Sequence, residues 1–199
     1  MLLHEKLARY RLILASASPR RRQLMAAAGL RFDLADKYEC EETYPPELPA
    51  DEVAAYLSAL KSRAYPRPLT GNEILVTADT TVVTENEILG KPADRADAIG
   101  MLRRLSGREH TVITGVTLRA AAAERTFKAS TAVRFRALSD EETAYYVDTF
   151  RPYDKAGAYG IQEWIGYAAV ERIEGSFYNV MGLPVQKLYT ELKDFTDLL

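Results

Sequence analysis

Apolar residues recur along the chain with two spacings, and the alternation between them outlines an α/β protein. The run Leu12-Ile13-Leu14-Ala15 reads as a buried strand. Ser18 and Pro19 follow as N-cap and first helical residue of a helix whose inner face holds Leu24, Met25 and Ala28, and Gly29 ends it. After Asp51, Val53, Ala54, Leu57, Leu60 and Ala64 return at helical spacing until Pro66 stops them. Ile74 to Val83 is the strongest strand in the chain, and a turn at Glu85-Asn86-Glu87 leads to the short strand Ile88-Leu89. A helix then starts at Asp94, turns Ala98, Ile99, Leu102 and Leu105 inward and terminates at Gly107.

The second half changes period. Thr111 to Arg119 and Arg125 to Phe135 read as an antiparallel pair, with Phe127, Ala129, Thr131, Val133 and Phe135 sharing one face. Ser139 to Glu142 forms a capping box for a helix that runs to Phe150. Two glycine-rich stretches, Lys155 to Gln162 and Glu174 to Pro184, flank a further strand and precede a C-terminal helix. The proline clusters at Pro45, Pro46 and Pro49 and from Pro66 to Gly71 bracket one helix rather than separating domains. A single mixed-sheet α/β domain spanning residues 1–199 is therefore expected.

Composition narrows the function classes. Of 199 residues 47% are hydrophobic and 27% charged, ordinary for a folded chain and against disorder. With a formal charge of −2, the chain lacks the surplus of cations on which general nucleic-acid binding rests. Cys40 is the single cysteine, which excludes an intrachain disulfide and a cysteine-based zinc site. No apolar run has the length of a membrane helix, and the start has no signal-peptide core, so a soluble cytoplasmic protein without a membrane partner is expected.

Four constellations carry candidate chemistry. Ser16-Ala17-Ser18-Pro19-Arg20-Arg21-Arg22 lies between a buried strand and the first turn of a helix. Three arginines at an already positive helix start are unfavourable unless an anion compensates them, and with two hydroxyls they describe a phosphate cradle. The alternative is a solvated basic turn whose arginines pair with nearby carboxylates. Asp79 interrupts an otherwise apolar or hydroxyl-bearing strand, where a carboxylate needs hydrogen bonds, a lysine or a metal to stay ionised. Lys61, Lys91 and Lys155 stand beside special backbone, and Glu39, Glu41 and Glu42 could ligate a hard cation or simply line a solvated loop.

The fourth constellation is Ala156-Gly157-Ala158-Tyr159-Gly160-Ile161-Gln162, where backbone can approach a ligand and an amide can donate and accept at once. A tight turn ahead of a core strand is the alternative. There is no P-loop and no glycine fingerprint opening a helix, and His4 and His110 are too few for a hydrolase triad.

Taken together these stretches resemble the Maf family of nucleoside triphosphate pyrophosphatases, from Leu12 to Leu192. Leu14 to Arg21 resembles the family's opening loop, Ala78-Asp79-Thr80 its central strand and Gly90-Lys91-Pro92 its lysine turn. Asp154 to Gln162 resembles its late glycine motif, and Gly175 to Pro184 its closing signature. Three departures stand out: Cys40-Glu41, followed by Glu42, matches the family's usual Asp-Glu pair, Ser62 follows Lys61 where Ala is frequent, and Thr77 stands where Gly often precedes Ala-Asp-Thr.

The resemblance implies a Maf/ITPase-like α/β fold, an elongated mixed β-sheet flanked by helices, and often a homodimer. It implies hydrolysis of a nucleoside triphosphate to the monophosphate and pyrophosphate with a divalent cation, Mg²⁺ or Mn²⁺. The late motif is similar to that of the branch acting on dTTP and UTP; a sister branch acts on 7-methylguanosine triphosphate. By the same resemblance Asp79 is the catalytic base, and Glu41 with Asp79 holds the metal. Ser16, Ser18, Arg21, Lys61 and Lys91 bind phosphate, and Arg20, Thr80 and Gln162 choose the base. The competing expectations are membership of the 7-methylguanosine triphosphate branch, a nucleotide-binding regulator of cell division with little turnover, and a sugar-phosphate enzyme on a similar scaffold.

Overall fold

The structure, a computed structural model, describes residues 2–85 and 87–199; Asn86, in the turn expected at Glu85-Asn86-Glu87, lies outside the described residues. In chain order the elements are α1 (Leu3–Leu7), β1 (Arg11–Leu14), α2 (Pro19–Ala27), β2 (Asp33–Leu34), α3 (Val53–Arg63), β3 (Glu73–Val83) and β4 (Ile88–Leu89). Then follow α4 (Arg95–Leu105), β5 (Glu109–Arg119), β6 (Glu124–Phe135), α5 (Asp140–Phe150), a 3-10 turn at Ala156–Ala158, α6 (Trp164–Ala169), β7 (Val170–Glu174), α7 (Phe177–Val180) and α8 (Val185–Thr196).

Among the described residues seven strands form one sheet in the order β2-β1-β3-β5-β6-β7, with β4 paired to β3. β1 runs parallel to β2 and β3, while β4 is antiparallel to β3 and β7 to β6. This is the mixed sheet, interspersed with helices, that the hydrophobic pattern predicts. In its parallel part β1 and β3 coincide with the continuous apolar runs, because strands covered on both faces carry no polar alternation, whereas the two-residue edge strand β2 is exposed. Ile74, Leu75 and Val76 are fully buried.

Most local signals act as expected. The Asp94 carboxylate accepts the Asp97 N–H at 2.9 Å and caps α4. Ser139 and Glu142 complete the capping box of α5 with bonds of 2.9 and 3.1 Å. Two details differ. α4 buries Met101, while Ile99 is half-buried. Ser18 precedes α2 without a side-chain cap bond among the described residues; instead its own N–H donates to Ser16 Oγ at 3.3 Å. The elements α1, β2, α6 and α7 have no counterpart among those the pattern predicts, because so few residues cannot show a period.

Tertiary contacts divide the chain into two compact units. The first holds the residues up to Asp79 with Thr114–Ala129 and Gly182–Leu199, and the second Thr80–Ile113 with Ser130–Met181. In the first, α3 lies directly on β5: a Cβ built at Gly115 would come within 2.3 Å of the Ala54 carbonyl oxygen. Thr77 Oγ1 donates to the Ser58 carbonyl at 2.7 Å, and Ser58 Oγ lies 2.9 Å from Thr117 Oγ1. These buried hydroxyls register α3 against β3 and β5, a precise fit that apolar contacts alone do not impose. Farther along, Arg67 grips Glu73 through two bonds of 2.8 and 2.9 Å and holds its carboxyl down at about 2.

The second unit is built on Val133, Phe135, Tyr146, Leu102 and Leu105, each with no exposed surface. His110 Nε2 lies 2.7 Å from the Tyr159 hydroxyl, with the imidazole edge-on to Phe135. Burial pushes that imidazole down to about 4, so it is neutral at neutral pH.

Candidate active site

The end of β1 delivers a loop, Ser16 to Ser18, to the start of α2, and Arg21 ties that loop down. Arg21 Nη1 donates to the Ala78 carbonyl at 2.7 Å and to Ser16 Oγ at 3.3 Å, while Nε donates to the Gly182 carbonyl at 2.8 Å. One guanidinium thus joins the opening loop, the middle of β3 and the start of the Gly182-Leu183-Pro184 segment. Burial lowers the Arg21 pKa, opposed by the Asp79 charge and reinforced by Arg20. Ser16, Ser18 and Arg20 are half-buried on the same loop and helix start.

Asp79 lies two residues beyond Thr77 on β3, and Lys61 three residues beyond Ser58 on α3. The bond from Thr77 to Ser58 therefore carries through to the next side chains on the same strand face and helix face. Lys61 Nζ donates to Asp79 Oδ1 at 2.5 Å and lies 3.0 Å from Glu42 Oε2. The lysine and aspartate side chains keep only 16% and 13% of their surface exposed, so this pair is far less screened than a surface ion pair, whereas Glu42 keeps 49%. Tyr38 anchors the acidic segment by donating its hydroxyl to the Lys61 carbonyl at 2.8 Å, and burial raises its phenol to about 12. Burial also pushes the Cys40 thiol up, so it is protonated at neutral pH rather than a nucleophile. Of the three acidic candidates in this segment, Glu42 is the one that the segment turns onto Lys61.

The remaining expected residues belong to the second unit. Thr80 follows Asp79 in β3, so strand alternation sends their side chains to opposite faces. Lys91 is exposed, and its turn is joined to the glycine motif where Gly157 N–H donates to the Gly90 carbonyl at 3.0 Å. Gln162 closes that motif with Oε1 buried and without a hydrogen-bond partner among the described residues. The structure thus brings Ser16, Arg21, Lys61, Asp79 and Glu42 together in one unit, and the Lys91 turn and Gln162 motif together in the other.

A family profile described as Maf-like protein matches residues 11–195. The chain belongs to the Maf family. A dTTP/UTP pyrophosphatase of Porphyromonas gingivalis is 50% identical over 193 residues, covering 96% of this Maf chain and 97% of the relative. Relatives with the same name from Bacteroides fragilis (50% over 185 residues, 93% and 96% covered) and Flavobacterium johnsoniae (48% over 191 residues, 96% and 98% covered) are also similar. Among solved structures, a HAM1 protein from Coxiella burnetii overlays with a TM-score of 0.46 at 13% identity, covering 93% of this chain and 99% of that one.

In this Maf protein the two carboxylates around Lys61 suit a hard divalent cation, which takes oxygen ligands and completes its shell with substrate phosphates and water. Among the described residues no group of three or more His, Cys, Asp or Glu side chains is arranged to hold a metal alone. Also among the described residues, no helix is long and apolar enough to cross a membrane.

Two groups beside the glycine motif escape a reading by motif. Glu163, half-buried, accepts the hydroxyl of Tyr146, fully buried, and lies 3.1 Å from Lys155 Nζ. The signal for Glu163 is a charge placed directly after a glycine-rich turn; for Tyr146, one position in an amphipathic helix, the sequence carries no signal.

Proposed function

We propose that this chain hydrolyses dTTP and UTP to the nucleoside monophosphate and pyrophosphate. The observation that carries the reading is the Lys61–Asp79 pair, mostly buried, beside a loop of helix amides and hydroxyls that Arg21 ties down. Membership of the Maf family and relatives near 50% identity named dTTP/UTP pyrophosphatase support the same reaction.

In this mechanism Ser16, Ser18, Lys61 and Lys91 receive the phosphate oxygens, with Arg21 bracing the loop that does so. Asp79, held by Lys61, accepts a proton from water as its oxygen bonds to the α-phosphorus. The bond from that phosphorus to the bridging oxygen breaks, and pyrophosphate leaves with its charge matched by the basic side chains. Asp79 with Glu42, the neighbour of Glu41 in the acidic segment, would hold Mg²⁺ or Mn²⁺, which when bound neutralises charge gathering on the phosphates. Arg20, Thr80 and Gln162 read the base. The unpaired Gln162 oxygen is an acceptor, matched by the N3–H donor that thymine and uracil share and cytosine lacks. Action as a single catalytic domain and a cytoplasmic homodimer belongs to the same proposal, supported by the family resemblance.

The test is pyrophosphate release from a panel of nucleoside triphosphates, with and without Mg²⁺ or Mn²⁺. Turnover of dTTP and UTP ahead of CTP, GTP and ATP, dependent on the cation, is expected. Nucleotide binding without turnover under all these conditions would replace catalysis with a regulatory role.

A further inference from the structure

Three side chains of the second unit converge on one glycine. A Cβ built at Gly160 would meet Gln162 Nε2 at 2.9 Å, Glu163 Cδ at 3.0 Å and Lys155 Cε at 3.0 Å. The space above that residue is filled by the base-reading amide, a carboxylate and a lysine stem, so a side chain there would have to displace them.

What holds them is a phenol from α5. The Tyr146 hydroxyl accepts the Gly160 N–H at 3.0 Å and donates to the Glu163 carboxylate. The other Glu163 oxygen lies 3.1 Å from Lys155 Nζ, which also donates to Asp154 Oδ1 at 2.8 Å. Lys155 is almost fully buried, at 8% exposure, and Tyr146 wholly so. The Tyr146 ring stacks on Phe150 at 5.1 Å, which fixes where its hydroxyl can point. Burial and the Glu163 charge both raise the Tyr146 pKa, so the hydroxyl keeps its proton and remains a donor at physiological pH.

The hydroxyl therefore clamps residue 160 and residue 163, the positions bracketing Ile161-Gln162. A side chain whose backbone is held on both sides, and whose amide nitrogen packs against a glycine, has little freedom left to turn. Its oxygen is the one buried polar atom of this cluster without a hydrogen-bond partner among the described residues. Such an acceptor selects among ligands only when its direction is fixed, because a mobile amide could rotate to present its N–H₂ to the wrong base.

We infer that Tyr146, Glu163 and Lys155 form a buried brace that positions Gln162, and thereby sets the preference for bases carrying an N3–H donor. They are positioning residues, since none of them is assigned a contact with substrate. The inference rests on the proposed base-reading role of Gln162 and extends it to groups that role does not include.

The test compares Tyr146→Phe, Glu163→Gln and Gln162→Ala with the unaltered protein, measuring kcat and KM for dTTP, UTP and CTP. Tyr146→Phe keeps the ring stack and deletes the hydroxyl. Glu163→Gln keeps an acceptor for that hydroxyl and deletes the charge facing Lys155. The ratio of kcat/KM for dTTP over CTP is expected to fall about tenfold in each, mainly through a higher KM for dTTP. An equal fall in kcat for all three nucleotides would mark a structural role only and overturn the brace. If Gln162→Ala leaves the ratio unaltered, the base-reading role fails and the brace with it. If Gln162→Ala lowers the ratio while Tyr146→Phe and Glu163→Gln leave it at the original value, the brace alone is overturned. Should Tyr146→Phe fail to fold, Glu163→Gln decides by the same ratio.

Discussion

Lys61 Nζ lies 2.5 Å from Asp79 Oδ1, and the contact is dictated one step earlier on each element. Thr77 Oγ1 donates to the Ser58 carbonyl at 2.7 Å, and strand and helix periodicity bring the next side chains on those faces together. A buried neutral hydrogen bond thus sets the register of a charged one. Lys61 in turn leans on Glu42, so one ammonium joins a strand, a helix and an acidic loop segment.

Charge-assisted bonds of this kind are worth about 1.5–3 kcal/mol, so Lys61→Met is expected to lower kcat/KM for dTTP by about tenfold to hundredfold. Asp79→Asn removes the proton acceptor and is expected to cost about 10²–10⁴ in kcat. Both are read by pyrophosphate release, with circular dichroism to check folding. Near-normal turnover in Asp79→Asn would take Asp79 out of proton transfer.

The acidic segment offers a sharp comparison between neighbours. Both Glu41 and Glu42 are exposed, but Glu42 Oε2 lies 3.0 Å from Lys61 Nζ, whereas the Glu41 carbonyl closes a turn to Thr43 N–H. Glu42→Gln is expected to raise several-fold the Mg²⁺ or Mn²⁺ concentration giving half-maximal activity, and Glu41→Gln to leave it close to the original. Metal titration of dTTP hydrolysis distinguishes them, and the reverse order would return the ligand role to Glu41.

The approach of α3 to β5 makes Gly115 intolerant of any side chain. A methyl group there would sit 2.3 Å from the Ala54 carbonyl oxygen, which is helix backbone and cannot swing aside. Gly115→Ala is expected to cost about 3 kcal/mol, measured by denaturant unfolding. The residual folded fraction should also turn over more slowly, because the helix displaced is the one that carries Lys61.

Stability should fall with pH in a window set by His110. Its imidazole stands near 6.5 when unfolded and about 4 when folded, so above 6.5 both states are neutral and no dependence arises. As pH drops below that value the unfolded chain takes up a proton that the folded one refuses, and stability is lost progressively. Glu73 and Glu142, held down at about 2, add their own loss only below their ordinary value of 4.5. Unfolding free energies measured between pH 6.5 and about 5 therefore isolate the histidine. His110→Gln, which retains a polar partner for the Tyr159 hydroxyl, is expected to flatten that part of the curve.

Much of the sheet is legible in the sequence because its strands bury long apolar runs, and α4 and α5 because Asp94 and Ser139 cap them. Asp79 is legible for the opposite reason, as a charge where strand burial tolerates few. Glu42 is not, since three glutamates within four residues look alike until Tyr38 anchors the segment to α3. The contacts of Arg21 with Ser16, Ala78 and Gly182, drawn from distant stretches, are a tertiary fact with no local signature. Tyr146 is hidden for a related cause: a helix pattern reports which face is buried, not what a hydroxyl on that face will meet.

The reach of Arg21 also bears on how the protein is made. Its anchors at Ser16, Ala78 and Gly182 lie up to 166 positions apart in a chain of 199 residues. While a ribosome still conceals the segment around Gly182, the guanidinium lacks its anchor there and the opening loop is incompletely braced. Full bracing of that loop therefore waits for the emergence of Gly182, and chains truncated short of that glycine are expected to release pyrophosphate from dTTP more slowly than the full chain.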